Sequence, residues 1–171
     1  MKERTGIITM GGIPLTLLGN EVNIGDRAPD FVAIDNNLGL FRLSSLKGKI
    51  IIISAVPSLD TPVCDLETRR FNEEAAGLSQ DVEIITISMD LPFAQKRWCA
   101  AAGVERVKTY SDHRDADFGE KYGVLTKETR LLARAVFVVD REGTIRHIEV
   151  LGDISHEPHY DAILTAVAQL T

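Results

Sequence analysis

The chain has 171 residues, of which 44% are hydrophobic and 26% are charged, and its formal net charge is -6 at neutral pH. This length suits one domain with a normal core, so residues 1–171 are expected to form a single domain. The acidic balance and the lack of a basic stripe argue against nucleic acid as a partner. No apolar stretch reaches the roughly 20 residues of a membrane span, and the N-terminus lacks the apolar core of a secretion signal. A cytoplasmic protein that does not bind membranes is therefore expected.

The beginning of the chain predicts a β-hairpin. Residues 5–9 and 15–18 have strand character and flank the sequence GGIP, which is typical of a turn. An added N-terminal hairpin over about residues 5–18 follows from this pattern. A short strand is then predicted at 31–34, before a turn at Asn36–Asn37, where two residues that tolerate the left-handed conformation are adjacent.

The rest of the chain alternates strands with helices. Continuous apolar runs predict strands at 49–56, 82–89 and 133–140 that are covered on both faces, with weaker strands at 107–110 and 144–150. Apolar periodicity predicts helices at 62–78, 92–102, 116–123 and 158–170. In the first helix, Val63, Leu66 and Phe71 are expected to share the buried face. The pattern indicates an α/β sandwich with a mixed central sheet.

Cys64, one of only two cysteines, ends the stretch PSLDTPVC between the first core strand and the first helix. Asp60 or Thr61 can serve as the N-cap, and Pro62 suits the first helical position. The unpaired N–H groups and the dipole of a first helical turn favour a thiolate. Because Cys64 shares a helix face with Phe71, it is expected to point inward. An inert buried cysteine is the alternative, but the position at the helix start favours a reactive one.

Arg134 begins an otherwise apolar strand in the stretch LLARAVFVVD. A charge at this place is costly unless it lies at an exposed strand end or finds a partner. The residues alone leave both interpretations open. A position near Cys64 would strengthen the case for a thiolate.

Three stretches resemble a known family. PSLDTPVC holds Pro57, Thr61 and Cys64 in the P-x-x-x-T-x-x-C arrangement of the peroxiredoxins, and LPFAQKRWC and ARAVFVVD are similar to the atypical two-cysteine subgroup, the bacterial thiol peroxidases. The similarity covers nearly the whole chain. It implies a thioredoxin-like fold and the reduction of hydrogen peroxide and organic hydroperoxides without a metal or organic cofactor, in antioxidant defence and redox homeostasis.

The resemblance also implies roles for five residues. Cys64 matches the peroxidatic cysteine and Cys99 the resolving one, which together form a redox disulfide. Thr61 and Arg134 match the groups that hold the peroxide and stabilise the thiolate, and Pro57 matches the residue that shields the pocket. The implied partners are a hydroperoxide substrate, thioredoxin or a similar dithiol as the reductant, and a second copy of the chain in a homodimer.

Other functions remain as alternatives. A redox sensor would pass its disulfide to a partner protein, and a non-catalytic domain would require an unreactive Cys64. A general thiol–disulfide oxidoreductase is disfavoured because the chain has no C-x-x-C motif. A disulfide needs Cα atoms within about 7 Å, and the two cysteines belong to separate helices. We therefore expect segments 61–66 and 93–100 to change conformation when Cys64 and Cys99 pair.

Overall fold

The computed structural model describes residues 1–171, with ten strands, four α-helices and one short 3₁₀ helix at Leu43–Leu46. The strands are β1 (Glu3–Met10), β2 (Ile13–Leu18), β3 (Val32–Ile34), β4 (Leu40–Arg42), β5 (Ile50–Ala55), β6 (Val82–Ser88), β7 (Val107–Ser111), β8 (Leu125–Thr126), β9 (Ala135–Val139) and β10 (Ile145–Val150). The helices are α1 (Pro62–Ala75), α2 (Pro92–Ala102), α3 (Asp117–Lys121) and α4 (Tyr160–Ala168). None of these helices is both long enough and apolar enough to cross a membrane.

The central sheet contains seven strands in the order β10-β9-β5-β6-β7-β3-β4. Strands β5, β6 and β7 are parallel, whereas β9 and β3 run antiparallel to their neighbours. The predicted α/β sandwich with a mixed sheet is confirmed. Strands β4 and β8 were not predicted, because segments of three and two residues are too short to show a periodicity.

Each face of the sheet packs on a separate apolar cluster. Ile52, Ile84 and Val138 point to the face that is covered by α1, α2 and α4. Their neighbours Ile53 and Ile85 point to the other face, where residues of the N-terminal strands and α3 cover them. Successive side chains of a strand point to opposite faces, and both faces of this sheet are covered. Consecutive residues are therefore all apolar, which explains the continuous apolar runs in the sequence.

The N-terminal hairpin packs on the apolar cluster that contains Ile53 and Ile85. Strands β1 and β2 are antiparallel, and β2 also pairs with β8, which gives a separate three-stranded sheet. Gly11 and Gly12 make the turn with φ of 56° and 84°, a conformation that is accessible to glycine at little cost. Buried Ile8, Leu15 and Leu17 join the hairpin to the core.

The buried face of α1 differs from the predicted one. Leu66 is 52% exposed and Val63 is half-buried, so the prediction that they share the buried face with Phe71 is wrong. The residues that α1 buries are Cys64, Glu67, Thr68 and Phe71. Polar contacts of this face with β5 and with the start of β9, described below, determine how the helix is rotated.

The sheet face under α1 and α2 becomes polar at the carboxyl ends of its parallel strands. Ile52, Ile84 and Val107 are followed two residues later by hydroxyl side chains, which therefore lie on the same face. The buried hydroxyls at this edge belong to Ser54, Thr86, Ser88, Thr109 and Ser111. The carboxyl ends of parallel strands commonly hold functional sites.

A buried carboxylate links β7 to α3. Asp112 is 2% exposed and accepts hydrogen bonds from the backbone N–H groups of Phe118 and Gly119. Burial raises the pKa of Asp112 from 3.8 to about 6, although both N–H groups act in the opposite direction. In its ionised form this side chain therefore opposes folding.

We expect the stability advantage of the native chain over Asp112→Asn to fall by roughly 2.5 kcal/mol between pH 4 and pH 7.5. The pKa of this carboxyl is higher in the folded state, so its contribution is complete below the unfolded-state pKa of 3.8 and is lost as the pH rises through about 6. Urea unfolding of both proteins at the two pH values measures the difference. A constant difference would show that Asp112 does not titrate in this range.

Candidate active site

Cys64 lies at the N-terminal end of α1, with no exposed surface. Thr61 is the N-cap and Pro62 begins the helix, as predicted. The N–H of Asp65 donates to the carbonyl of Thr61 at 3.0 Å, the first hydrogen bond of the helix. The N–H groups of Val63 and Cys64 precede it and have no helical acceptor. They place partial positive charge beside the sulfur.

Arg134 is buried against Cys64. Its Nη2 lies 3.1 Å from Cys64 Sγ, its Nη1 bonds to the carboxylate of Glu67, and its Nε donates to the carbonyl of Ile154 at 2.8 Å. Only 2% of its surface is exposed, so it is not a solvated strand-end arginine. Burial acts to lower the pKa of Arg134, but the charges of Glu67 and Cys64 outweigh it and raise that pKa.

Glu67 completes this group and was not predicted. Its carboxylate is fully buried between Arg134 and the hydroxyl of Ser54, which donates to Oε1 at 2.9 Å. Burial raises the pKa of Glu67, while the guanidinium and the hydroxyl act to lower it. Glu67 stands three residues after Cys64 and four before Phe71, and this spacing places it on their helix face. A carboxylate on a buried face was the signal that sequence reasoning missed.

Thr61 and Pro57 lie in the loop that leads into α1. The Thr61 hydroxyl donates to the carbonyl of Ser58 at 3.0 Å and makes no capping bond. A hydroxyl has one hydrogen and two lone pairs, so Thr61 Oγ1 can still accept a hydrogen bond. Pro57 is buried directly after Val56, which packs against Cys64. Neither Thr61 nor Pro57 hydrogen-bonds to the sulfur.

Asp90, which follows β6, fixes the position of this loop. Its carboxylate accepts from the hydroxyls of Ser58 and Ser88 at 2.6 and 2.7 Å, and from the N–H of Leu59 at 2.8 Å. Three donors on one carboxylate leave the loop little freedom. Asp90 was also not predicted, because its partners in the loop are 31 and 32 positions away.

Cys99 is half-buried in α2, and both cysteines are free thiols. Its Sγ lies 3.4 Å from Thr109 Oγ1 in β7, beside a groove of about 450 Å³. Arg134 stands at the start of β9, three strand positions from β7. With about 4.8 Å between neighbouring strands, the backbones of Arg134 and Thr109 are separated by roughly 14 Å across the sheet.

Trp98 connects the two cysteine helices. Its ring packs against the cluster that contains Cys64, and its Nε1 donates to the carboxylate of Asp65 at 2.8 Å. The guanidinium of Arg69 lies 5.7 Å from the centre of the ring. Trp98 therefore joins α2 to the first turns of α1, while its neighbour Cys99 contacts β7.

Comparisons with known proteins agree with this geometry, in which a buried thiol lies against a cation at a helix N-terminus. The sequence profile of the Redoxin family matches residues 23–164. The chain belongs to the redoxin family.

Several relatives have a more specific name. A thiol peroxidase of Oceanobacillus iheyensis is 57% identical over 92% of this chain and 96% of its own length. A thiol peroxidase of Bacillus subtilis is 53% identical over 95% of this chain and 97% of its own. Among solved structures, a peroxiredoxin-like protein from Aquifex aeolicus shares 43% identity, with a TM-score of 0.91 over 98% of both chains.

We expect Arg134→Met to lower the free energy of unfolding by about 3–5 kcal/mol, because it leaves the buried carboxylate of Glu67 without a cation. The double variant Arg134→Met/Glu67→Gln should be more stable than Arg134→Met by about 2 kcal/mol, because the buried charge is gone. Urea unfolding of the native chain, both single variants and the double variant gives the coupling. Simple additivity would contradict a direct interaction between these two side chains.

Proposed function

We propose that this chain is a thiol peroxidase that reduces hydrogen peroxide and organic hydroperoxides through Cys64. The observation that carries the proposal is the buried contact of 3.1 Å between Arg134 Nη2 and Cys64 Sγ at the start of α1. A fixed cation and a helix N-terminus both favour a thiolate, which is the reactive form of cysteine. The thiol peroxidases of Oceanobacillus iheyensis and Bacillus subtilis support the same reaction class.

In the first step, the Cys64 thiolate attacks the terminal oxygen of the peroxide. The O–O bond breaks, the sulfur becomes a sulfenic acid, and hydroxide or alkoxide leaves and takes up a proton. Arg134 and the free N–H groups of the first helical turn stabilise the charge that develops on the leaving oxygen. Thr61 Oγ1 accepts the hydrogen bond of the peroxide O–H, and Pro57 shields the sulfur from bulk water.

In the second step, the thiol of Cys99 attacks the sulfenic acid. A disulfide between Cys64 and Cys99 forms, and the hydroxyl leaves as water. The separation of roughly 14 Å between the backbones of Arg134 and Thr109, whose side chains contact the two thiols, supports a movement of segments 61–66 and 93–100 in this step. Thioredoxin or a similar dithiol then reduces the disulfide and completes the cycle.

The context of the reaction is part of the proposal. Residues 1–171 act as one domain in a cytoplasmic homodimer. Two cysteines are too few for a disulfide scaffold, which suits a reducing compartment. Leu91 and Phe93, 52% and 65% exposed at the start of α2, provide an apolar surface that a second copy would cover.

Sedimentation should give twice the chain mass of 18.8 kDa, and Phe93→Glu should shift it to the monomer. Monomeric native protein would contradict the dimer.

Two serine variants should separate the steps. Cys64→Ser should consume no peroxide, because the nucleophile is gone. Cys99→Ser should be oxidised once but should show no disulfide step, because its sulfenic acid finds no thiol. Mixing with one equivalent of hydrogen peroxide, followed by the fluorescence of Trp98, the only tryptophan, resolves the oxidation of Cys64 as a first phase and disulfide formation as a second phase.

Thr61→Val provides a graded control in the same assay, because it removes the proposed acceptor and keeps the nucleophile. Its first phase should be slower by roughly 10²-fold, with an unchanged second phase, and Thr61→Ser should restore the first phase. Equal loss of the first phase in Cys64→Ser and Cys99→Ser would contradict the assignment of the two cysteines.

A further inference from the structure

Helix α2 rests on a polar strip of the sheet. Gln95 is 1% exposed, and its amide nitrogen donates to Ser88 Oγ and to the carbonyl of Tyr110, both at 2.9 Å. One turn later, Cys99 lies over Thr109. The inward side of α2 around these residues is therefore held by individual hydrogen bonds to the sheet.

The hydrogen bonds of Thr109 decide which atom carries the proton at Cys99. Thr109 is 4% exposed, and its hydroxyl donates to Asn36 Oδ1 at 3.1 Å. A hydroxyl has only one hydrogen. In the contact of 3.4 Å between Cys99 Sγ and Thr109 Oγ1, the thiol is therefore the donor. The chain of bonds runs from Cys99 through Thr109 to Asn36, and it requires a protonated Cys99.

We propose that Thr109 is a positioning residue for the resolving half of the reaction, an inference that rests on the proposed function. Thr109, on β7, holds Cys99 as a thiol while Cys64 reacts with peroxide, and Asn36 orients the Thr109 hydroxyl. When α2 moves, the hydrogen bond from the Cys99 thiol to the Thr109 hydroxyl breaks. Cys99 sulfur then bonds to Cys64 sulfur, the S–O bond of the sulfenic acid breaks, and the thiol proton leaves with the hydroxyl as water.

A neighbouring residue provides a matched control. Thr86 is the register partner of Thr109 on β6 and is 1% exposed, and its hydroxyl has no hydrogen-bond partner. Thr86→Val makes the same chemical change on the same polar strip but removes no bond to Cys99. It separates a specific effect of Thr109 from a general loosening of the helix.

The test is a single turnover with one equivalent of hydrogen peroxide, followed by Trp98 fluorescence and by quenched samples for the disulfide. In Thr109→Val, disulfide formation should be about two- to tenfold faster, the range that one net hydrogen bond gives. The first phase should stay within about twofold of the native rate. Thr109→Ser should restore the native second phase, and Thr86→Val should not accelerate it.

A second measurement is independent of peroxide. In a Cys64→Ser background, alkylation of Cys99 by iodoacetamide at pH 7 should be several-fold faster with Thr109→Val. Asn36→Ala should also accelerate it, because the Thr109 hydroxyl is then free to donate to the sulfur and favour the thiolate. Asn36→Ala tests the proposal even if Thr109→Val fails to fold.

Three results would overturn the proposal. These are an unchanged or slower second phase in Thr109→Val, an equal acceleration in Thr86→Val, or native alkylation rates in both Thr109→Val and Asn36→Ala. Failure of the proposed function gives a different result, because the native chain would then show no oxidation of Cys64 by peroxide while the alkylation rates still report on Thr109.

Discussion

The site depends on one buried guanidinium. Arg134 has lost nearly all contact with water, and an unpaired charge in such a place would cost several kcal/mol. The carbonyl of Ile154 accepts from its Nε and the carboxylate of Glu67 from its Nη1. The third nitrogen, Nη2, faces Cys64 Sγ. Because Glu67 and Cys64 are on one face of α1, the same contacts that neutralise Arg134 also rotate the helix and aim the sulfur at the cation.

The sheet brings these groups together at one edge. Strands β5, β6 and β7 are parallel, so their carboxyl ends meet where Arg134 enters β9. The buried face is apolar in the middle of the strands and polar at this edge, where Ser54 and Ser88 bind Glu67, Asp90 and Gln95. The apolar part supplies most of the free energy of folding, while the polar edge determines the directions of the side chains that surround the thiol.

The two cysteines of this redoxin family member have opposite surroundings. Cys64 has a cation and a helix N-terminus beside its sulfur, an arrangement that stabilises negative charge. Cys99 faces a hydroxyl whose own hydrogen is already donated to Asn36. Of the two sulfurs, that of Cys64 is the one in contact with a cation. This asymmetry supports the proposed division of roles, in which Cys64 attacks the peroxide and Cys99 acts afterwards.

The sequence by itself determined the features that depend on neighbours in the chain. Periodicity and end signals predicted α2 with its observed bounds and placed Cys64 in the first turn of α1. Only the tertiary structure decided what Arg134 contacts, since its partner Glu67 is 67 positions away. The same is true of Thr109 and Asn36, which are 73 positions apart. The period of an apolar stripe shows which side of a helix is buried when that side is apolar. A buried face built around an ion pair has no such signature, because each charge is stable inside the protein only beside a partner that folding brings to it.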